Sequence, residues 1–207
     1  MKIAVINEFS AMSKNKDVVA AIEKQGREVL NIGMSDNYND INLTYIHTGF
    51  MAGAVLNLGL ADLVVGSCGT GQGFLISANQ YPNVYCGLIL EPSDAYVFSQ
   101  INAGNCISLA LNKGFGWAGE LNLDYIFEKL FAKAPGGGYP EERAASQAQS
   151  RGLLRGINEA AHKSFDEILR GLDKDIVKTA LSHRPFLTAV EGLGHKGFDD
   201  FIKEFGL

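Results

Sequence analysis

The chain has 207 residues, 46% hydrophobic and 20% charged, with a formal net charge of −5. That is enough apolar material for a real core in one domain with an appendage, and no Lys/Arg run offers a surface to nucleic acid or anionic membrane. No apolar run approaches the roughly 18 residues of a membrane span. Met1-Lys2-Ile3-Ala4-Val5-Ile6 is too short for a signal peptide and reads as a first strand. The three cysteines, Cys68, Cys86 and Cys106, share no metal-ligand spacing, and their odd number argues against a disulfide framework. A reducing cytoplasm is the expected setting.

Short, wholly apolar strands are expected at Ile3–Ile6, Val29–Ile32, Leu63–Gly66, Val84–Leu88 and Cys106–Leu109, as for strands covered on both faces. Helical periods lie between them. Val18, Val19, Ala21 and Ile22 precede a stop at Gly26, and Ile46, Phe50, Ala54 and Leu58 recur every fourth residue. Pro92-Ser93-Asp94 starts a helix over Ala95–Ile101, and Leu121, Tyr125, Phe127 and Leu130 mark another. Five βα units imply a doubly wound, Rossmann-like parallel sheet in three α/β/α layers. Gly136-Gly137-Gly138-Tyr139-Pro140 breaks the pattern. The expected division is a sheet domain over 1–143 and a helical extension over 144–207, packed on the sheet or on a second subunit. Its Leu153, Leu154, Ile157, Ile168, Leu169 and Leu172 look amphipathic, and His162, His183 and His195 are expected to be solvated.

The third strand runs into Ser67-Cys68-Gly69-Thr70-Gly71-Gln72-Gly73. Alternating glycines let successive amides turn toward one point, which makes an anion trap, and positive potential beside a thiol favours thiolate. Residue type alone leaves two readings, an acid/base thiol or a tight turn with an inert, buried one. In the flavodoxin-like strand order, ligands bind between the first and third strands, which brings Asn7 and Glu8 toward Cys68. Glu8 is then either a second acid/base or a loop cap. Cys86 and Cys106 read as core, and Trp117 as a core or interface aromatic with sugar stacking as the alternative.

Cys68-Gly69-Thr70-Gly71-x-Gly73, followed by Ile76-Ser77-Ala78-Asn79, resembles the ribose-5-phosphate isomerase B and galactose-6-phosphate isomerase family. The likeness continues through Tyr45, His47, Glu91-Pro92, Ser99-Gln100-x-Asn102-x-x-Asn105, Gly137-Gly138 and Arg143. It implies an aldose–ketose isomerase with no cofactor and no metal. Cys68 would move a proton between C1 and C2 through a cis-enediolate, with Thr70 and the amides of Gly69, Gly71 and Gly73 holding the oxyanion. It also implies a homodimer or larger homo-oligomer with sites at the subunit boundary, so that Asn102 serves a neighbour's Cys68.

The departures narrow the substrate. The family's Asp-His pair after the first strand is Asn7-Glu8 here, and its ring-opening histidine is Ile101. Of two phosphate-gripping arginines, one position holds Tyr139 and only Arg143 remains. A single arginine backed by Tyr139 suits a carboxylate better than a dianionic phosphate. The pattern resembles a branch acting on 4-deoxy-L-threo-5-hexosulose uronate. The alternatives are a sugar phosphate, with Lys113 or a partner's base as the missing cation, and a non-catalytic sugar-binding subunit of a mixed assembly.

Overall fold

The computed structural model describes all 207 residues. The strands are β1 (Lys2–Asn7), β2 (Glu28–Asn31), β3 (Leu63–Cys68), β4 (Cys86–Ile89) and β5 (Cys106–Ala110). They form one parallel sheet in the order β2-β1-β3-β5-β4. The expected flavodoxin-like order is therefore corrected at its last two positions. β5 is buried between β3 and β4, while β4 lies at the edge, half-exposed along most of its length. Both runs are apolar, so composition could not rank them. The reversal of strand order still falls between β1 and β3.

Helices α1 (Asn15–Glu23), α4 (Pro92–Val97) and α5 (Gly119–Leu130) cover one face with Val18, Ile22, Ala95, Leu123 and Phe127. Helices α2 (Tyr45–Asn57) and α3 (Gln72–Ala78) cover the other with Phe50, Met51, Phe74 and Ala78. β1 alternates Ile3 and Val5 toward the first layer with Ala4 and Ile6 toward the second, which is why it reads as uninterrupted hydrophobic sequence.

The extension comprises α6 (Ala144–Ala161), α7 (Phe165–Gly171), α8 (Lys174–Ser182), α9 (Arg184–Val190) and α10 (Lys196–Phe205). Its last four helices share the α2 core. The Phe50 ring lies 6.2–6.4 Å from those of Phe165, Phe186 and Phe198. α6 buries no residue, and Leu153, Leu154 and Ile157 are exposed. The expectation of three solvated histidines is corrected. His183 is wholly buried, His162 is half-buried, and His195 is half-buried against Asp166 at 2.9 Å. Burial and the neighbouring Cys86 push the Cys106 thiol well above its usual range, as suits a core residue.

Two features hold the loop after β3. A Cβ on Gly66 would fall 1.8 Å from Cζ of the buried Phe74, so the ring of α3 lies directly on β3. At α2, the Thr44 amide donates to Nδ1 of His47 at 3.0 Å, capping the helix whose Tyr45 packs beside Gly73. Gly66→Ala is expected to destabilise the protein by about 1–3 kcal/mol through overpacking, read as a lower urea midpoint; an unchanged midpoint would show that Phe74 moves freely. Burial lowers the His47 pKa below its ordinary 6.5. The unfolded chain then takes up the proton first, so the cap's stabilisation is complete above pH 6.5 and fades as the pH falls below it. Thermal melts at pH 7.5 and 5 should differ less for His47→Ala than for the parent, and an equal difference would remove the cap from this account.

Candidate functional site

The carboxyl ends of β1, β3 and β5 converge at the switch point. Cys68 is the last residue of β3, free and 5% exposed, at the base of this edge. Its carbonyl accepts from Leu111, and that of Gly69 accepts from Asn112 and Lys113 at 3.0 and 2.8 Å. The Ser108 hydroxyl donates to the Gly71 carbonyl at 2.6 Å. Gly71 takes φ +75°, a left-handed conformation that glycine reaches without a Cβ penalty. The amides of Gly69, Thr70, Gly71 and Gly73 have no protein acceptor. Thr70 is exposed, and its hydroxyl accepts from the Gln72 amide at 3.3 Å.

Glu8 leaves β1 beside this loop, its amide bonded to the Ser67 carbonyl at 3.2 Å. Its Oε1 accepts from the Ser10 amide and hydroxyl, so it caps the 3-10 turn Phe9–Lys14. Oε2 carries no protein hydrogen bond. Asn7 does not face the loop as a substrate-binding residue would. It is 1% exposed, donates to Ala11, and accepts from Asn15, which pairs in turn with Asn31. Its side chain is committed to the frame, and its place in the site is through the backbone.

Two residues at the loop went unassigned in the sequence. A Cβ on Gly69 would lie 3.0 Å from Ser10 Oγ and 3.2 Å from Asn112 Nδ2, and Asn112 also donates to the Ser10 carbonyl at 2.8 Å. Asn112 lies two residues beyond the end of β5, so strand topology was the signal that could have found it. Trp117, four residues beyond Lys113, is wholly exposed.

Asn102, Tyr139 and Arg143 do not meet Cys68 within the chain. Asn102 ends a π turn over Phe98–Asn102 and lines a cavity of about 260 Å³ with Asn83, Tyr85 and Asn105. Those residues precede β4 and β5, at the amino edge of the sheet, whereas Cys68 lies at the carboxyl edge. The glycine run is bonded to the π turn through Gly136 to Ser99 at 2.9 Å and Gly138 to Gln100 at 3.0 Å. Arg151 of α6 locks both by donating to the Ile101 and Gly136 carbonyls, another role that went unassigned in the sequence. Tyr139 follows, with its ring 5.8 Å from that of Tyr96, and Arg143 is exposed beside Ser146.

The family model described as Ribose/Galactose Isomerase matches residues 3–128. Among solved structures, a ribose-5-phosphate isomerase from Vibrio parahaemolyticus is 46% identical, covers 99% of each chain and has a TM-score of 0.91. A 4-deoxy-L-threo-5-hexosulose-uronate ketol-isomerase complexed with a tartrate is 39% identical over 99% of each chain, also with a TM-score of 0.91. A ribose-5-phosphate isomerase B from Clostridium thermocellum, 20% identical with a TM-score of 0.65, is matched in full by only 78% of this chain and shares the fold. The two longer relatives thus share the helical extension. The chain belongs to the ribose/galactose isomerase family and is a sugar isomerase.

Proposed function

We propose that the chain interconverts the aldose and ketose forms of an open-chain sugar acid, with Cys68 as the group that moves the carbon-bound proton. The observation that carries this reading is a free cysteine at the end of β3, followed at once by amides with no protein acceptor. The Cys68 sulfur takes the proton from C2 of the aldose, and the C1=C2 bond of the enediolate forms as the carbonyl electron pair moves to O1. The amides of Gly69, Thr70, Gly71 and Gly73 face that charge. One such donor contributes roughly 10²–10³-fold and a general base roughly 10²–10⁴-fold. The sulfur returns the proton to C1, while the O2 proton passes to O1 through Oε2 of Glu8. No step routes through a metal or cofactor.

The substrate anion follows from the other cluster. On this reading Asn102, Tyr139 and Arg143 are supplied by a second copy of the chain, which the place of Asn102 at the amino edge of the sheet, away from Cys68, supports. A lone Arg143 with Tyr139 matches one carboxylate. The ketol-isomerase relative acts on a uronate and is complexed with a tartrate, a hydroxylated carboxylate, which supports the same class. A sugar phosphate is the second reading, favoured by the 46% identity to a ribose-5-phosphate isomerase. Incubation with 4-deoxy-L-threo-5-hexosulose uronate, ribose 5-phosphate and galactose 6-phosphate in heavy water separates them. Deuterium entering the uronate alone is expected, and turnover of a phosphate without the uronate would overturn the carboxylate assignment. Cys68→Ser is expected to lose at least about 10²-fold in kcat with an unchanged melting profile, and near-parental kcat would refute its role.

A further inference from the structure

His183 stands where α8 gives way to α9, and it is wholly buried. Its Nε2 lies 3.2 Å from the Gly33 carbonyl. A carbonyl only accepts, so Nε2 carries the hydrogen, while Nδ1 has no hydrogen-bond partner. The ring is therefore a donor to the segment after β2. Burial lowers its pKa below 6.5, outweighing the Gly33 and Ile32 carbonyls, which favour the charged ring. The titratable groups facing it come from the loop after that segment. Asp40 pulls the pKa the other way, and the Tyr38 ring meets the imidazole edge-on at 6.4 Å.

Gly33 is pressed onto the end of β1. Its amide and that of Ile32 donate to the Val5 carbonyl, and Met34 donates to the Asn7 carbonyl at 2.9 Å. A Cβ on Gly33 would fall 2.1 Å from the Asn7 amide nitrogen, so the two backbones are in direct contact. Asn7 is joined to Glu8. A second line runs from Met34, whose Sδ accepts from the Leu43 amide, to the Leu43 carbonyl, which accepts from Phe9. Asn7-Glu8-Phe9 is thus gripped by a segment whose outer carbonyl is held by one side chain of the helical extension.

We infer that His183 is a positioning residue for the isomerase site, its Nε2–H bond to Gly33 setting the placement of Glu8 relative to Cys68. This rests on the assignment of Glu8 and Cys68 made above. The extension then serves the reaction by geometry, because misplacing a reacting group by about 1 Å costs on the order of 10²-fold in rate.

The test compares His183→Leu, which fills the space without a donor, with His183→Gln, whose amide nitrogen reaches about as far as Nε2. The substrate is the one identified by the deuterium experiment. The leucine variant should lose on the order of tenfold in kcat with KM shifted less than about threefold, and the glutamine variant should regain kcat to within about threefold of the parent. A folded leucine variant with parental kcat overturns the inference, as does a loss that glutamine does not repair in a folded protein. Where the leucine variant does not fold, His183→Asn, whose amide stops short of Gly33, takes its place under the same criteria. Failure of all three to fold also overturns it, by making the residue a requirement of folding alone. Glu8→Gln is measured alongside. Parental activity there removes the underlying site assignment, whereas an impaired Glu8→Gln beside an unimpaired His183→Leu removes only the coupling.

Discussion

The site depends on the direction in which the peptide groups just after Cys68 point. The carbonyls of Cys68 and Gly69 are engaged by three amides of the segment after β5, and that of Gly71 by the Ser108 hydroxyl of β5 and the Leu75 amide of α3. A peptide plane fixed at its oxygen has its N–H fixed as well, on the opposite side, so the amides of Gly69 and Thr70 are held pointing away from β5. The loop thus becomes a row of fixed dipoles beside a sulfur, without any cationic side chain. Such donors need no reorganisation as charge develops, which is what makes them effective in a largely buried place. β5 lies beside β3 because the sheet order differs from the flavodoxin pattern, so the strand swap matters to the site more than to the core.

The fold is held in layers that meet the same edge from behind. Phe74 lies on Gly66, Tyr45 beside Gly73, and Gly33 against Asn7. Each contact is one where glycine admits a neighbour that any Cβ would exclude. The rigidity of the edge comes from close backbone approach, with the aromatic cluster around Phe50 extending it into the helical extension. The extension is fused to the α2 layer, and only α6 stands away from it.

Much of this was legible in the sequence. The five strands, the glycine loop and the switch point between β1 and β3 all follow from apolar runs, turn residues and chain order. The order of β4 and β5 was not legible, because both read as short apolar strands and only tertiary packing decides which is covered. The burial of Asn7 was not legible, because residue type and position gave no view of the Ala11 carbonyl and the Asn15 amide, which take up its side chain. Glu8 was left open between two roles, and the structure shows the capping one directly. His183 was misread for a related reason. A histidine among polar helical residues looks solvated, and its partner is a carbonyl 150 residues away in sequence. The family resemblance, carried by the cysteine and glycines of the loop, stands on the family match across residues 3–128.

Trp117 is the sole indole in the chain, and it stands wholly in water on the segment that leaves β5 toward the site. Indole emission shifts to shorter wavelength when water is removed from the ring. The molecule therefore carries its own optical gauge. Covering of this rim, by substrate or by another subunit, is readable as a blue shift from a single fluorophore with no label attached.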